Sequence, residues 1–402
     1  MKVLQINCVY GTGSTGKIVK DLHTYYQKQG ISSHVIYGRG GKSVDVYVFK
    51  CASEFASKLR NLISRYTGNL YGMGKRETKK IIHYIEKENP DVVHLHCING
   101  FFCDIYGLVE YLKKSTIPTV LTMHAEFMYT GNCGYAFECQ QWKNGCIECP
   151  NVKEAIGSKN PDAPKKNWKQ MYRAFNGFDN HLVLTGVSDW ISERSLQSKI
   201  LGNKKTVTVL NGLDDIVFCK GNEQPELIRR LRKQNKKVIL YVTPYFEDGN
   251  KGGRWVLELA EQMKDADIHF VVVGNVEKTY DHENITFIGR IENAKELAAY
   301  YENADVTLLT SKRETFSMIC AESLCCGTPI IGFEAGAPEK IALKEYSEFV
   351  EYGNTEMLKN SLLSWTGKKL DKDEISEKAR KIYSKKRMAE EYLQVYQDVI
   401  GV

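Results

Sequence analysis

Glu314-Thr315-Phe316-Ser317-Met318-Ile319-Cys320-Ala321-Glu322 lies between the apolar run Val306-Thr307-Leu308-Leu309-Thr310 and a second run, Cys326-Gly327-Thr328-Pro329-Ile330-Ile331. An apolar run, a polar turn, a short helical segment and another apolar run read as a β-loop-α-β unit in a parallel sheet. In such a sheet ligands sit outside the carboxyl ends of the strands, where the following helix presents unpaired N–H groups and its positive dipole end. The turn from Ser311 to Ser317 is therefore expected to take an anion. Glu314 in the loop suits sugar hydroxyls, and Glu322, two turns into the helix, suits a ribose diol. Between them Thr315 and Phe316 complete the turn, and the N–H groups of Ser317, Met318 and Ile319 are placed for phosphates. Spacing alone equally allows two solvated glutamates at a helix start.

Working outward, the 402 residues suit two domains of ordinary size. With 43% hydrophobic and 26% charged residues the composition is that of a folded globular protein. No stretch approaches the roughly 18 apolar residues of a membrane span. Met1 to Asn7 runs directly into a strand pattern without a signal-peptide apolar region, so a cytoplasmic protein is expected. A reducing compartment makes structural disulfides unexpected for the twelve cysteines. The net charge of +6 is modest and suits an anionic donor or an anionic membrane face. Nucleic acid is not an expected partner, because no binding motif accompanies that charge.

Near the N-terminus, Gly11-Thr12-Gly13-Ser14-Thr15-Gly16 follows a strand and opens a helix. This is the G-x-G-x-x-G pattern of a dinucleotide fingerprint, but the acidic residue expected about 20 positions on is missing. His34-Val35-Ile36-Tyr37 runs instead into Gly38-Arg39, and an Arg there suits a 2′-phosphate. The same loop, with Gly16 at its end, suits close approach to a diphosphate. Phe55 to Tyr84 mixes apolar residues with Lys58, Arg60, Arg65, Lys75, Arg76, Lys79 and Lys80, a pattern of a solvated helix pair or of a surface resting on anionic lipid. His94 and His96 fall on one strand face and read as packed or hydrogen-bonded side chains. His124 ends the strand Pro118 to Met123 at its carboxyl edge.

Cys133, Cys139, Cys146 and Cys149 follow C-x5-C-x6-C-x2-C, with Gly134, Gly145 and Pro150 as turns. Four thiolates so close in sequence can close a tetrahedral zinc site on a loop with little apolar content. Reduced unliganded cysteines and a redox pair are the alternatives. Thr206 to Leu210 leads to Asn211-Gly212-Leu213-Asp214, and a second α/β pattern begins at Lys237. There Asp248-Gly249-Asn250-Lys251-Gly252-Gly253 opens a helix, so Lys251 can set a point charge against a diphosphate.

The Glu-x7-Glu segment, ending in Glu322-Ser323-Leu324 and Cys326-Gly327-Thr328-Pro329-Ile330 and followed by Gly336-Ala337-Pro338-Glu339, resembles the donor-site signature of GT4-type retaining glycosyltransferases. The resemblance extends along nearly the whole chain. Asn211 to Asp214 resembles the segment that ends the first domain of such enzymes, and the cysteine loop resembles that of a subgroup similar to bacterial capsular and exopolysaccharide (colanic-acid-type) transferases. It implies the GT-B fold, two doubly wound Rossmann-like α/β domains facing a cleft. The N-terminal acceptor-side domain would be 1–215 plus 385–402, with the four-cysteine loop at 133–149; the C-terminal nucleotide-sugar domain would be 216–384. It implies transfer of a sugar from a nucleoside diphosphate sugar to a hydroxyl of a glycan or lipid-linked acceptor, with retention, in surface polysaccharide biosynthesis.

By the same resemblance His124, Glu314 and Lys251 are catalytic, and Gly16, Lys251, Glu314, Thr315, Phe316, Ser317, Met318, Ile319 and Glu322 bind donor. No cofactor serves catalysis, while a structural zinc is expected on the four cysteines. The basic stretch leaves room for peripheral contact with the inner face of the cell membrane, beside its reading as a solvated helix pair. Two departures stand out. Similar transferases commonly have Asp after the histidine, where Ala125 and Glu126 stand here, and an Arg where Thr243-Pro244-Tyr245 stands, leaving Lys251 alone unless Arg254 or Arg313 assists. A sugar-nucleotide epimerase of the same architecture and a non-catalytic sugar-nucleotide-binding subunit are the rival readings.

Overall fold

The computed structural model describes residues 1–150, 152–153 and 157–401. The chain divides into two compact units, Met1–Leu210 with Met388–Val402, and Asn211–Arg387. Each is built on a wholly parallel sheet.

In the first unit the strands are β1 (Lys2–Asn7), β2 (Ser32–Tyr37), β3 (Val48–Lys50), β4 (Val92–Leu95), β5 (Thr119–Met123), β6 (Leu182–Gly186) and β7 (Lys205–Thr208). Their order is β3-β2-β1-β4-β5-β6-β7. Strand order therefore reverses between β1 and β4, the switch point where a doubly wound sheet opens a crevice at its carboxyl edge. The central strands are buried on both faces, as near-continuous apolar runs require. Val3, Val92, Val120 and Val183 pack on Leu22 and Tyr26 of helix Gly13–Lys28, and on Met388, Tyr392 and Tyr396 of the last helix, Lys385–Ile400.

In the second unit the strands are β8 (Lys237–Tyr245), β9 (Ile268–Asn275), β10 (Ile285–Phe287), β11 (Val306–Leu309), β12 (Ile330–Phe333) and β13 (Ser347–Val350). The order β10-β9-β8-β11-β12-β13 puts the reversal between β8 and β11. Loops 246–252 and 310–317 leave those two strands at their carboxyl ends.

The chain crosses between the units twice, and the two crossings are pinned together. Leu213 bridges Ser384, with Leu213 N donating to Tyr383 O at 2.8 Å and Lys385 N donating to Leu213 O at 2.9 Å. Lys385 Nζ lies 2.6 Å from Asp214 Oδ2. A Cβ on Gly212 would meet Lys385 Cα at 2.7 Å, so this position of Asn211-Gly212-Leu213-Asp214 admits only glycine without displacement of the returning backbone. The helical periodicity from Lys378 to Ile400 suggests one helix. The structure has two, Lys372–Tyr383 and Lys385–Ile400, because Ser384 takes an extended conformation to make that bridge.

Candidate functional site

The switch point of the second sheet brings two predicted site residues into contact. Lys251 Nζ lies 2.7 Å from Glu314 Oε1, and both side chains are largely buried. Lys251 follows β8 and Glu314 follows β11, neighbours in space although 63 residues apart. Asn250 ties the two loops: its N–H side chain donates to Arg313 O at 3.0 Å, its Oδ1 accepts from Arg313 N at 3.0 Å, and its carbonyl accepts from Lys312 N at 2.7 Å. The Thr310 hydroxyl reaches the carbonyls of Lys251 and Gly252, each at 3.0 Å, and the Tyr241 hydroxyl donates to Lys251 O at 2.8 Å. Gly252 has φ +77, and a Cβ there would sit 2.3 Å from Thr310 O. The lysine is thus carried on a turn that only glycine can close.

Glu314 is held from its other side by the loop after β12. Glu314 N donates to Ala335 O at 2.9 Å and Ala337 N donates to Glu314 O at 3.2 Å, making an isolated parallel bridge to Gly336. Glu339 fixes that loop by accepting from Gly336 N at 2.7 Å and Ala335 N at 3.2 Å. Ser317 then caps the helix Met318–Cys325, its Oγ accepting from Cys320 N at 3.3 Å. Its φ of 79 is outside the usual range for a residue with a side chain, and such a conformation persists only where the surroundings enforce it. Thr315 and Phe316 complete the turn and are buried, with the Phe316 ring edge-on to Tyr383. Met318 and Ile319 occupy the first helical positions, whose N–H groups lack helical acceptors.

Glu322, expected to take a ribose diol, is tied into the fold and is not the solvated glutamate that spacing alone also allowed. Its Oε2 accepts from the hydroxyl of Tyr301, which is fully buried, at 3.0 Å. Burial first, and Glu322 second, hold that phenol well above its ordinary pKa. Of the two supporting cations considered, Arg254 stacks over Trp255 at 4.4 Å, and Arg313 has its backbone gripped by Asn250.

In the first unit Gly11 N donates to Gly16 O at 2.8 Å, closing the glycine loop, and a Cβ on Gly16 would lie 3.0 Å from Val9 Cγ2 and 3.3 Å from Gly11 N. Gly16 is needed for close packing of the helix start on the loop. His124 follows β5 and belongs to a buried histidine column. Its Nε2 lies 3.2 Å from His96 Nδ1, and His96 Nε2 lies 3.2 Å from Gln5 Oε1. His94 bonds Tyr396 and Thr122, each at 2.6 Å, and its ring centroid is 3.8 Å from that of His96.

Burial lowers the His124 pKa to about 4, and burial with neighbouring histidines holds His94 and His96 well below 6.5. All three are neutral at pH 7. Their folded-state pKa values lie below those of the unfolded chain, so the unfolded chain binds more protons as pH falls. Stability is full above about pH 6.5 and is lost from there toward pH 4, at about 1–3 kcal/mol for His124 alone. Melting at pH 7 and pH 5 should show the first unit losing stability in acid, with a shallower loss in His94→Gln. An unchanged melt across that window would contradict the buried column.

Glu126, two residues after His124, is fully buried and spent within the fold. Its Oε1 accepts from Arg194 Nε at 2.8 Å, its Oε2 accepts from Ala136 N at 2.6 Å, and the Tyr129 hydroxyl also donates to it. It orders the cysteine loop instead of facing a substrate. Trp142, buried in that loop, donates from Nε1 to Cys139 O at 2.8 Å, packs edge-on to Tyr129 and lies under Arg194; Trp168 Nε1 donates to Trp142 O at 2.7 Å. The expected zinc ligand set is not assembled: among the described residues no group of three or more His, Cys, Asp or Glu is placed to hold a metal ion. Aromatic packing and Glu126 stabilise the loop. The Cys133 thiol is pushed up by burial first and then by Cys146, Cys149 and Cys139.

Motif reading gave no role to Asn250, Thr310, Tyr301 or Glu339. Glu339 stands in the quoted Gly336-Ala337-Pro338-Glu339, and that signature was its only signal.

The Glycosyltransferase Family 4 profile matches residues 15–215, and the profile for glycosyl transferases group 1 matches residues 236–366. The Escherichia coli (strain K12) protein named as colanic acid biosynthesis glycosyl transferase WcaC is 22% identical, covering 99% of this chain and all of its own length. N-acetyl-alpha-D-glucosaminyl L-malate synthase of Bacillus anthracis is 24% identical over 56% of this chain and 61% of its own. Among solved structures, a glycosyltransferase from Rickettsia africae superposes with TM-score 0.67 at 17% identity, over 99% of this chain and 98% of that one. Anabaena HepE in complex with UDP-glucose gives 0.62 at 13% identity, over 99% and 100%. With half the chain matched by the first profile and the second sheet by the other, this protein belongs to glycosyltransferase family 4 and has the GT-B fold.

Proposed function

We propose that this glycosyltransferase moves a hexose-type unit, with retention, from a nucleoside diphosphate sugar to a hydroxyl of a glycan or lipid-linked acceptor in surface polysaccharide biosynthesis, at the inner face of the cell membrane. The observation that carries the donor half is the Lys251–Glu314 contact at the switch point beside the capped helix at Ser317. A cation, a carboxylate and a helix N-terminus at one sheet edge suit a ligand that is anionic at one end and rich in hydroxyls at the other. Support for the donor class comes from HepE, solved with UDP and with UDP-glucose. Support for polysaccharide synthesis comes from the similarity to WcaC.

In this reading Lys251 meets the diphosphate, the N–H groups of Ser317, Met318 and Ile319 meet its oxygens, Glu314 takes the sugar hydroxyls, and Glu322 takes the ribose. Gly16 gives the glycine loop close approach to the donor, and His124 serves the anomeric centre. His124 is neutral at pH 7, so it acts as a hydrogen-bonding group and not as a cation. Charge developing on the departing diphosphate is met by Lys251 and the helix N-terminus, so catalysis is expected to proceed without added Mg²⁺ or Mn²⁺.

A panel of nucleoside diphosphate sugars, assayed for binding and for slow hydrolysis, identifies the donor. NMR of the product's anomeric configuration tests retention. An inverted product would overturn the mechanism; binding with neither hydrolysis nor transfer would favour a binding subunit, and epimerised donor would favour an epimerase.

Glu322→Ala is expected to weaken donor binding roughly ten- to a hundredfold, the value of a hydrogen bond to a charged group. It also strips the buried Tyr301 hydroxyl of an acceptor, at about 1–3 kcal/mol of stability. Glu322→Gln keeps that acceptor and isolates the binding effect by calorimetry; unchanged affinity in both variants would sink the assignment.

Zinc is a separate part of the proposal. Among the described residues no group of three or more ligating side chains is placed to hold an ion, so uptake would require the loop to draw in around it. Elemental analysis of protein purified without chelator is expected to give about one zinc per chain. Metal-free protein with full stability, together with a silent Cys146→Ser variant, would leave the loop held by packing alone.

A further inference from the structure

The helix Glu54–Thr67 is amphipathic but inverted. Its buried positions are the small polar Ser57 and Ser64. Arg60, also turned inward, donates to Glu77 Oε2 at 2.6 Å and to Phe101 O at 3.1 Å. The apolar face points to solvent: Phe55 is 79% exposed, Leu59 47%, Leu62 50%, Ile63 41% and Tyr66 79%. Positions 55, 59, 62, 63 and 66 recur at helical spacing and fall within a stripe roughly 100° wide. A helix that serves only the core turns such a stripe inward.

What covers the stripe is indicated by charge. Lys58 and Arg65 lie along one edge of it, and the next helix, Lys75–Glu88, exposes Lys75, Arg76, Lys79 and Lys80. Among the described residues none of these six cations is drawn into an ion pair, whereas the acidic Glu54 and Glu77 of the same stretch are both neutralised, by Arg39 and Arg60. The Arg60–Glu77 bridge joins the two helices, so the apolar stripe and the cations ride on one rigid piece. Phe55 and Tyr66 lie near opposite ends of the helix, about 16 Å apart at 1.5 Å per residue, so a helix lying flat would set both rings at one depth. Aromatic rings of this kind favour the boundary between headgroups and acyl chains.

We propose that the helix Glu54–Thr67 lies in the surface of an anionic lipid bilayer, with Phe55, Leu59, Leu62, Ile63 and Tyr66 inserted among the acyl chains and the cations of both helices against the headgroups. Among the described residues no helix is long and apolar enough to cross a membrane, so attachment through this face is peripheral. The inference rests on the membrane-side setting proposed above but not on the donor or the acceptor.

The test is co-sedimentation of the full chain with vesicles of 30:70 phosphatidylglycerol:phosphatidylcholine (about one-third anionic lipid, a composition chosen to sense both terms) and with pure phosphatidylcholine. The protein is expected to bind the anionic vesicles, with partitioning that falls at high salt. Leu59→Ser/Leu62→Ser is expected to lose about tenfold or more of that partitioning, and Lys75→Gln/Lys79→Gln to lose binding to anionic vesicles selectively. Because these positions are exposed, circular dichroism and donor affinity should be unchanged, which separates failure of this surface from failure of the proposed activity. Equal binding by wild type and both variants, or no binding by wild type, would overturn the proposal. So would a wild-type dimer in light scattering that Leu59→Ser/Leu62→Ser converts to monomer, which would assign the stripe to a second copy of the chain.

Discussion

Lys251→Ala is expected to lower kcat by about 10²–10³ with KM much less affected, the scale seen when one group stabilising transition-state charge is removed. The step it serves separates the sugar from a diphosphate whose charge grows as the bond breaks, and only interactions that strengthen with that charge speed the reaction. Lys251 is placed for this by a turn closed by Gly252, by the Thr310 and Tyr241 hydroxyls on its carbonyl, and by Asn250 next to it. Its ammonium lies 2.7 Å from Glu314. The pairing holds both side chains in a set geometry, which reduces reorganisation during reaction. It also means that Lys251→Ala leaves a largely buried carboxylate without its cation, so lost turnover could have a structural origin. Circular dichroism and melting of Lys251→Ala separate the two: at a temperature where the variant is fully folded it should still be slow. Near-normal turnover in folded Lys251→Ala would remove Lys251 from the reaction.

What the sequence made legible follows from how local the cause was. The alternation of apolar runs with helical segments, the glycine turns at 252 and 212, and the strand-edge positions of Lys251, Glu314 and His124 are set within a few residues, and all were readable. Asn250, Thr310 and Tyr301 act across 63, about 58 and 21 positions of sequence, and nothing near them in the chain signals their partners. The inverted helix Glu54–Thr67 was legible as a basic amphipathic stretch, but periodicity reports that two faces differ and not which one the core takes. Ser384 was hidden for a related reason: a bridge to Leu213, 171 residues earlier, interrupts a helical pattern that local propensity would continue. In the cysteine loop spacing points to a metal site, which elemental analysis decides, and it gave no sign that Trp142, Trp168 and a buried carboxylate also hold the loop.

That carboxylate underlies the largest stability effect expected. Glu126 has no exposure to solvent, and Arg194 neutralises it through contacts of 2.8 Å from both Nε and Nη2. Arg194 also accounts for more than charge, since its guanidinium stacks between Trp190 at 4.8 Å and Trp142 at 5.2 Å. Arg194→Met keeps most of the side-chain volume but leaves a buried, unpaired carboxylate, which costs about 3–5 kcal/mol. For a unit of this size that corresponds to a fall of roughly 6–20 °C in the Tm of its transition. Adding Glu126→Gln removes the stranded charge while retaining an acceptor for Ala136 N, so the double variant should recover most of the loss. A double-mutant cycle by thermal or urea unfolding therefore measures the pair directly, and a coupling near zero would mean that the packing of Trp142, not the ion pair, holds the loop. Because Glu126 is spent on this network, the recovered double variant Glu126→Gln/Arg194→Met should leave kcat close to that of wild type. A large loss of turnover there would return Glu126 to the chemistry.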